Sequence, residues 1–174
     1  MVDKKECFLC RAVDAGKLAR HHDVDERGHR WIVCDRCGGY YIDENPLTRW
    51  PLTLEQGILA SAIARRGSDA ERHARFHHPI EPLLAEERPP SDGALSDGLF
   101  SEITRLCKYP AVPAERCSLL AIAARSYMPT HAAEVLARGF ERDGLLRLDG
   151  SRDGLIVELT ELGWRRRLEL SRGP

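Results

Sequence analysis

Four cysteines near the N-terminus, arranged as two Cys-x-x-Cys pairs, constrain the fold of this chain more than any other feature. Cys7 and Cys10 form the first pair, Cys34 and Cys37 the second, and twenty-three residues separate the pairs. One Cys-x-x-Cys turn presents two sulfurs to a single ion, so two turns complete the tetrahedral shell that Zn²⁺ prefers. A short segment has too small an apolar core to fold unaided, and a bound ion supplies the missing free energy. The spacing therefore predicts one structural Zn²⁺.

The surroundings of the pairs leave other readings open. Gly38 and Gly39 follow the second pair and allow the positive φ that a tight turn needs, whereas the first pair has no glycine. The four thiols could instead be unrelated buried cysteines or a redox dithiol. Histidines in the same region could also replace a thiolate as ligand, although we expect them in solvent-facing loops. These are His21, His22 and His29.

The remaining cysteines and the charge bound the function. Cys107 and Cys117 are expected to be small buried apolar residues and not ligands. The chain has no apolar run near the ~20 residues of a membrane span, and its first residues do not resemble a signal peptide. We therefore expect a cytoplasmic protein with no membrane partner. The formal net charge of −1 excludes a uniformly basic surface, so nucleic acid would have to bind a local patch.

The pattern along the chain predicts an α+β protein with three segments. Residues 1–44 form a small zinc ribbon with four cysteine ligands, and strands at 29–33 and 40–42 that are rich in β-branched and aromatic residues. Residues 45–93 form a helical and Pro-rich linker region. Residues 94–174 form a winged helix-turn-helix domain.

The linker region begins with a helix signal. Thr53 and Gln56 match a capping box, and Gly67 is expected to end the helix. Four prolines in 68–93 predict a linker with a helical turn or two at 80–87. The apolar positions expected to face inward from the first helix are Leu54, Ile58, Leu59, Ala62 and Ile63.

Three histidines in this linker are a weak candidate for a second metal site. His73, His77 and His78 lie close to Glu81 in sequence and could in principle hold an ion. Their place in a Pro-rich segment favours a flexible, solvated stretch. No phosphate-binding loop, nucleophile elbow or His-Glu-x-x-His motif occurs, so we predict that the protein is not an enzyme.

The C-terminal segment has the element order of a winged helix. Leu95, Leu99, Ile103 and Leu106 repeat at helical spacing, and 119–124 is an apolar helix or strand. A helix follows at 130–143, with Pro129 and Gly144 as its punctuation, and then a hairpin at 145–159 and a last helix to about residue 170. The expected inward positions of the 130–143 helix are Ala132, Val135, Leu136 and Phe140.

In this reading the helix at 130–143 is the recognition helix and the hairpin is the wing. The residues predicted to contact nucleic acid are His131, Arg138, Arg142, Arg147 and Arg152. They could equally be ordinary solvated charges, since residues 116–174 contain ten arginines against eight acids. Glu134 and Glu141 on the same helix would repel phosphate.

Two sets of residues carry a resemblance to known families. Cys7-x-x-Cys10, followed by Trp31-Ile32-Val33-Cys34-x-x-Cys37-Gly38, resembles a rubredoxin-like or zinc-ribbon knuckle pair. Leu159-Thr160-x-x-Gly163-Trp164 resembles the end of bacterial winged-helix domains. In this order the two modules resemble the front end of bacterial immunity proteins, which can precede Toll-receptor-like NAD hydrolases or deoxyribosyltransferase-like enzymes.

The resemblance implies a role in bacterial defence. This chain ends at Pro174 with no effector domain attached, so a sensor or adaptor acting in trans is expected. The main hypothesis is a zinc-binding regulator that binds nucleic acid, with duplex DNA favoured, and a homodimer could read two half-sites. The alternative is an adaptor that docks a partner protein without touching nucleic acid.

Overall fold

The protein, described by a computed structural model, is a mixed α+β protein, as predicted. Its residues divide into two compact units, Met1–Pro89 and Pro90–Pro174. The structure describes residues 3–11, 13–14, 18–43, 52–77, 79–89, 95–106, 117–151 and 154–171.

A five-stranded sheet forms the centre of the first unit. The strands lie in the order β1-β2-β3-β4-β5, and only the β4–β5 pair is parallel. The bounds are β1 Asp3–Glu6, β2 Leu18–Val24, β3 His29–Cys34, β4 Gly38–Asp43 and β5 Arg75–Phe76.

Alternation along the strands separates two faces of this sheet. Ile32, Tyr40, Ile42 and Phe76 are buried in one core cluster with the four cysteines. Residues one position away, such as Trp31, are only partly buried. Because successive side chains in a strand point to opposite faces, one face covers the core and the other meets solvent in part.

Helix α1, Leu54–Asp69, packs against β4. Its capping box is confirmed, since Gln56 N donates to Thr53 Oγ1 over 3.2 Å and Thr53 N donates to Gln56 Oε1 over 3.0 Å. The helix runs past Gly67, where a Cβ would come within 2.6 Å of the Arg72 carbonyl oxygen. Glycine is needed there for close packing and does not end the helix.

The predicted inward face of α1 is wrong in part. Leu54 is 52% exposed, whereas Leu59 and Ile63 pack partly buried against the core as predicted. The fully buried positions of α1 are small ones. A stripe of small residues lets a helix approach a sheet more closely than leucine would allow. The buried residues of α1 are Gly57, Ala60, Ser61, Ala62 and Ala64.

Part of the segment that the sequence suggests to be linker belongs to this core. Phe76, Ile80 and Leu84 are buried in the same cluster as the cysteines. Ile80 and Leu84 belong to a short helical segment that includes α2, Glu81–Ala85. Their burial stabilises the unit by the apolar area that they remove from water.

The second unit contains four helices and three strands among its described residues. The strands form one antiparallel sheet in the order β6-β8-β7. The elements in chain order are α3 Leu95–Leu106, β6 Cys117–Ser118, α4 Leu119–Arg125, α5 Thr130–Arg142, β7 Leu146–Ser151, β8 Gly154–Leu159 and α6 Glu161–Ser171.

The core of this unit is apolar and drawn from most of its elements. It includes Leu99, Ile103, Leu119, Ile122 and Val157, among others. The apolar segment at 119–124, which the sequence leaves open between helix and strand, is helix α4.

The predicted inward face of α5 also needs correction. Ala132 is exposed and Val135 is 56% exposed, while Ala133 and Ala137 are fully buried. Leu136 and Phe140 pack partly buried against the core, as predicted. The fully buried positions of α5 are Ala133 and Ala137, on a helix that packs against both α4 and β7.

The residues that join α5 to its neighbours include two with positive φ. Tyr127, in the turn between α4 and α5, has φ +54°, a region usually left to glycine. After α5, Gly144 has φ +73°, as its predicted role in ending the helix requires.

The Leu-Thr-x-x-Gly sequence has a physical role at the start of α6. Thr160 Oγ1 donates to the Gly144 carbonyl over 2.6 Å and accepts from Gly163 N over 3.1 Å. A Cβ on Gly163 would come within 2.0 Å of the Leu145 carbonyl oxygen. The threonine caps the helix, and the glycine allows the backbone contact.

None of the helices in the described part of the chain is long and apolar enough to cross a membrane.

Candidate metal centre

The four cysteines of the two pairs meet at one buried point in the first unit. The Sγ atoms of Cys7 and Cys37 are 3.8 Å apart, as are those of Cys10 and Cys34. All four sulfurs lie within 4.8 Å of one another. Each of the four cysteines is at most 2% exposed. Chain segments far apart in sequence therefore bring four soft donor atoms to one place.

These distances fit a tetrahedral zinc site and exclude disulfides. Sulfurs at ~2.3 Å from a central Zn²⁺ lie ~3.8 Å apart at the corners of a tetrahedron. A disulfide would instead require ~2.05 Å between two sulfurs. The cysteines are all free thiols. The donor set and its spacing are thus consistent with one structural zinc ion, for which the protein would supply all four ligands.

Each cysteine pair lies in a tight turn. In the first, Arg11 N donates to the Cys7 carbonyl over 3.1 Å, and Asp14 N donates to the Cys10 carbonyl over 2.7 Å. In the second, which joins β3 to β4, Gly38 has φ +73°, so the predicted use of glycine after this pair is confirmed. The first turn closes without a glycine.

Hydrogen bonds and burial act differently on the four thiols. Hydrogen bonds from Cys10, Cys34 and Cys37 hold the pKa of Cys7 well below its ordinary value. Burial raises the pKa of Cys37 well above its ordinary value. Four thiolates cannot share so small a buried volume without a cation, because their mutual repulsion is not screened there. A divalent ion removes that repulsion by binding the thiolates directly.

Tyr40 adds a polar contact to the centre from the core side. Its hydroxyl lies 3.2 Å from Cys7 Sγ, and the residue is fully buried. Burial, reinforced by the charge of Cys7, raises the pKa of Tyr40 well above its ordinary value. The phenol therefore keeps its proton and can donate a hydrogen bond to the Cys7 thiolate. Hydrogen bonds of this kind orient metal ligands and tune their basicity.

Helix α1 supports the second cysteine turn through one polar stripe. Ser61 Oγ lies 3.4 Å from Cys37 Sγ, and Ser68 Oγ accepts from Gly39 N over 2.9 Å. Between them, Arg65 Nε donates to the Arg36 carbonyl over 2.8 Å, and its Nη2 donates to the Asp35 carbonyl. Residues 61, 65 and 68 are spaced to share one helix face. The helix thus fixes the turn that carries half of the ligands.

A buried ion pair joins the two cysteine turns. Arg36 Nη1 lies 2.9 Å from Asp14 Oδ2, with the Arg36 side chain fully buried and that of Asp14 10% exposed. Arg36 lies between the cysteines of the second pair, and Asp14 closes the turn of the first. A buried charge pair costs desolvation but is strongly coupled, so each turn restrains the other.

The histidines near the cysteines are not where the sequence suggests. His21 is 2% exposed in β2, and its Nε2 lies 3.2 Å from the Glu6 carbonyl oxygen. His22 also lies in β2, and His29 begins β3. The expectation of solvent-facing loops is therefore wrong for these residues. None of the three joins the cysteine cluster of the described residues.

Four of the five residues predicted to contact nucleic acid lie on α5 and β7. His131, Arg138, Arg142 and Arg147 are exposed, and Arg138 pairs with Glu134 over 2.8 Å. Arg152, Cys107 and His78, also singled out from the sequence, lie outside the described residues. Cys117 begins β6.

Sequence reasoning missed the side chains that surround the cysteines. These are Asp14, Arg36, Ser61, Arg65 and Ser68. The spacing of 61, 65 and 68 on one face of α1 is the signal that could have found the last three. Nothing in the sequence pairs Asp14 with Arg36.

Comparisons with protein-family models, curated proteins and solved structures find no match to this chain.

Proposed function

We propose that the protein is a non-enzymatic regulator with one structural Zn²⁺ in a ribbon-like first unit and a DNA-binding winged helix in the second. Cys7, Cys10, Cys34 and Cys37 would hold the ion. A four-thiolate shell leaves no open position for a substrate or water, so zinc there supplies folding free energy. The tetrahedral spacing of the sulfurs supports this role.

The topology of the second unit supports a winged helix. Helix, strand, helix, helix and a two-stranded hairpin follow in that order, from α3 to β8. The hairpin completes a sheet with β6 at the far side of β8. In a winged helix of this order, α5 would be the recognition helix and the β7–β8 hairpin would be the wing.

The outward stripe of α5 is the observation that carries the DNA proposal. His131, Val135, Arg138 and Arg142 lie at steps of four, three and four residues, so they share one helix face. Exposed positions on this stripe offer cations for phosphate and an apolar side chain for a thymine methyl group. Val135 is 56% exposed although the unit has an apolar core that could have buried it.

The acids on α5 are less unfavourable than the sequence suggests. Glu134 is paired with Arg138, and Glu141 Oε1 accepts from Leu148 N over 2.9 Å. The second bond ties the end of α5 to β7. Arg142 and Arg147 are the chain neighbours of the two bonded residues, and both are exposed with no ion pair within the described part of the chain. These two arginines are the best placed to contact phosphate.

Fluorescence anisotropy with labelled duplex DNA across a salt series tests the proposal. Phosphate contacts release counterions, so the affinity should fall steeply as salt rises. The double variant Arg142→Ala with Arg147→Ala should weaken binding and reduce the salt slope by about 2. Its circular dichroism should match that of the wild type because both side chains are exposed.

A matched control removes the same charge from α6. Arg165 and Arg166 are exposed and pair with Glu161 and Glu169 on the same helix. Arg165→Ala with Arg166→Ala should leave the salt slope almost unchanged. No binding at low salt, or equal losses in the two double variants, would contradict recognition by α5 and the wing.

A second function is supported by the exposed apolar side chains. Val135, Leu162 and Leu168 are each more than half exposed. In an adaptor they would pack against a partner protein, and binding would respond little to salt. The variant Val135→Ser separates the two functions, since it would abolish docking but only weaken DNA binding.

A further inference from the structure

Three side chains form a row across the partly exposed face of the first sheet. His29 of β3 is the register partner of Asp43 of β4. Ile42 of β4 is the partner of Phe76 of β5, and the parallel register brings Asp43 beside His77, one residue further along. Side chains that are cross-strand neighbours on one face lie close together. The sheet therefore assembles two imidazoles and a carboxylate from distant parts of the sequence.

The distances in this row are short. His29 Nε2 lies 3.1 Å from Asp43 Oδ1, and His77 Nδ1 lies 2.7 Å from Asp43 Oδ2. One donor atom from each of the three residues lies within 4.8 Å of the others. Donors at ~2.1 Å from one ion lie ~3.0–3.4 Å apart in octahedral or tetrahedral geometry. The His29–Asp43 distance falls in that range.

The second nitrogen of His29 lies near an acid outside the row. His29 Nδ1 is buried, makes no hydrogen bond among the described residues, and lies 3.5 Å from Asp25 Oδ1. The backbone N–H groups of His29 and Arg27 donate to that same oxygen, each over 2.9 Å. Without a metal ion, the closer Asp43 oxygen is the natural acceptor for a proton on His29 Nε2. With a metal ion on Nε2, the imidazole proton would lie on Nδ1, facing the Asp25 carboxylate.

His29 Nε2 and Asp43 Oδ1 lie 3.1 Å apart, so either a shared proton or a metal ion can join them. In the second case Asp25 plays the part that a carboxylate plays behind many metal-bound histidines, fixing the tautomer and the ring. The exposed fraction rises along the row, from 13% for the His29 side chain to 34% for Asp43 and 55% for His77. An ion could enter from solvent through the His77 side.

We propose that His29, Asp43 and His77 form a second metal site for a divalent first-row transition metal such as Zn²⁺. Two imidazoles and a carboxylate suit such ions and suit Ca²⁺ or Mg²⁺ poorly. Three protein ligands leave at least one position for water, unlike the closed cysteine centre. The site is separate from the four cysteines and does not depend on what they bind.

Isothermal titration of Zn²⁺ into the full chain tests this site. The metal content is first measured by mass spectrometry, and any zinc held by the cysteines is left in place. One further Zn²⁺ should bind to the wild-type protein. His77→Gln and Asp43→Asn should each weaken that step by about tenfold or more, because each removes a ligand. His77→Gln should keep its fold, since the side chain is exposed.

His73→Gln is the matched control, because His73 is an exposed histidine of the same unit that contacts Trp31 instead of Asp43. Its affinity for the further Zn²⁺ should stay within about twofold of the wild-type affinity. That change is much smaller than the loss of about tenfold expected when a ligand is removed. The proposal is overturned if no further Zn²⁺ binds. It is also overturned if His77→Gln binds it as tightly as the wild type, or if His73→Gln loses as much affinity.

Discussion

The two units differ in what fills their interiors. The first buries four cysteines together with His21, Arg36 and Ser61, all polar groups that need specific partners. The second is centred on a cluster of apolar side chains such as Leu99, Ile103 and Ile122. Apolar contacts are non-directional and spread over many residues, whereas thiolates and a buried arginine depend on a few exact contacts.

The two units should therefore lose stability in different ways when a side chain is removed. In the second, removing one side chain forfeits one share of a distributed stabilisation. In the first, much of the stabilisation is expected to reside in a single ion, so the loss of one ligand removes it at once. Each change described next affects one unit and leaves the other as an internal reference.

Cys34→Ser should have the largest effect. Structural zinc contributes ~10–16 kcal/mol in small zinc-dependent folds, which is as much as the whole stability of a typical domain, ~5–15 kcal/mol. We expect loss of zinc and unfolding of the first unit, seen by mass spectrometry and by collapse of its amide resonances. The amide resonances of the second unit should remain dispersed.

Cys107→Ser provides the control, because sequence reasoning places this thiol outside the ligand set. It should keep one equivalent of zinc at the cysteine centre. A Cys34→Ser protein that retained stoichiometric zinc and native resonances would remove the proposed difference between the units.

Ile122→Ala should have an intermediate effect, confined to the second unit. Ile122 is fully buried, and cutting such a side chain to alanine costs ~2–5 kcal/mol of unfolding free energy. Urea titration followed by the amide resonances of each unit measures it. Ile122→Val should cost only ~0.5–1.5 kcal/mol. Zinc loss in either variant would mean that the units are not independent.

Arg65→Ala should have the smallest effect and sharpens the picture of the first unit. It removes the two hydrogen bonds to the carbonyls of Asp35 and Arg36 but leaves every ligand in place. Loss of such support typically weakens metal binding ~10- to 100-fold. Competition with a chromophoric chelator measures this change.

Arg66→Ala is the matched variant on the same helix. Its guanidinium pairs with Glu87. The zinc affinity of this variant should therefore stay within about twofold of the wild-type affinity. Loss of the hydrogen bonds that support a ligand turn should lower it by about tenfold or more. Equal losses for Arg65→Ala and Arg66→Ala would show that α1 acts through its general stability instead of through the carbonyl contacts.

Local patterns explain what the sequence could predict. The cysteine spacing, the Thr53–Gln56 capping box and the helix that ends before Gly144 are written in neighbouring residues, and all three are found where predicted. The hairpin at β7 and β8 is also confirmed. The zinc ion, the winged helix and nucleic-acid binding remain predictions.

The misses share a physical cause, which is dependence on distant chain segments. Periodicity favours large apolar residues and so predicts Leu54 inside, but Leu54 is exposed and the fully buried positions of α1 are small residues. Arg65 looks like a solvated charge until the carbonyls of the cysteine turn are placed beside it. The row of His29, Asp43 and His77 depends on strand register, which no local pattern reveals.

The support that α1 gives to the second cysteine turn bears on how this unit could be reused. Residues 3–43 contain every cysteine of the centre, and they look like a cassette that could be transplanted into another protein. Such a graft would leave behind Ser61, Arg65 and Ser68, together with Phe76 and the rest of the core contributed by residues 52–89. The carbonyls of the turn would then face water and the inner face of the sheet would lose its cover. The smallest transferable piece is therefore twice as long as the ligand motif suggests, and it ends at Pro89.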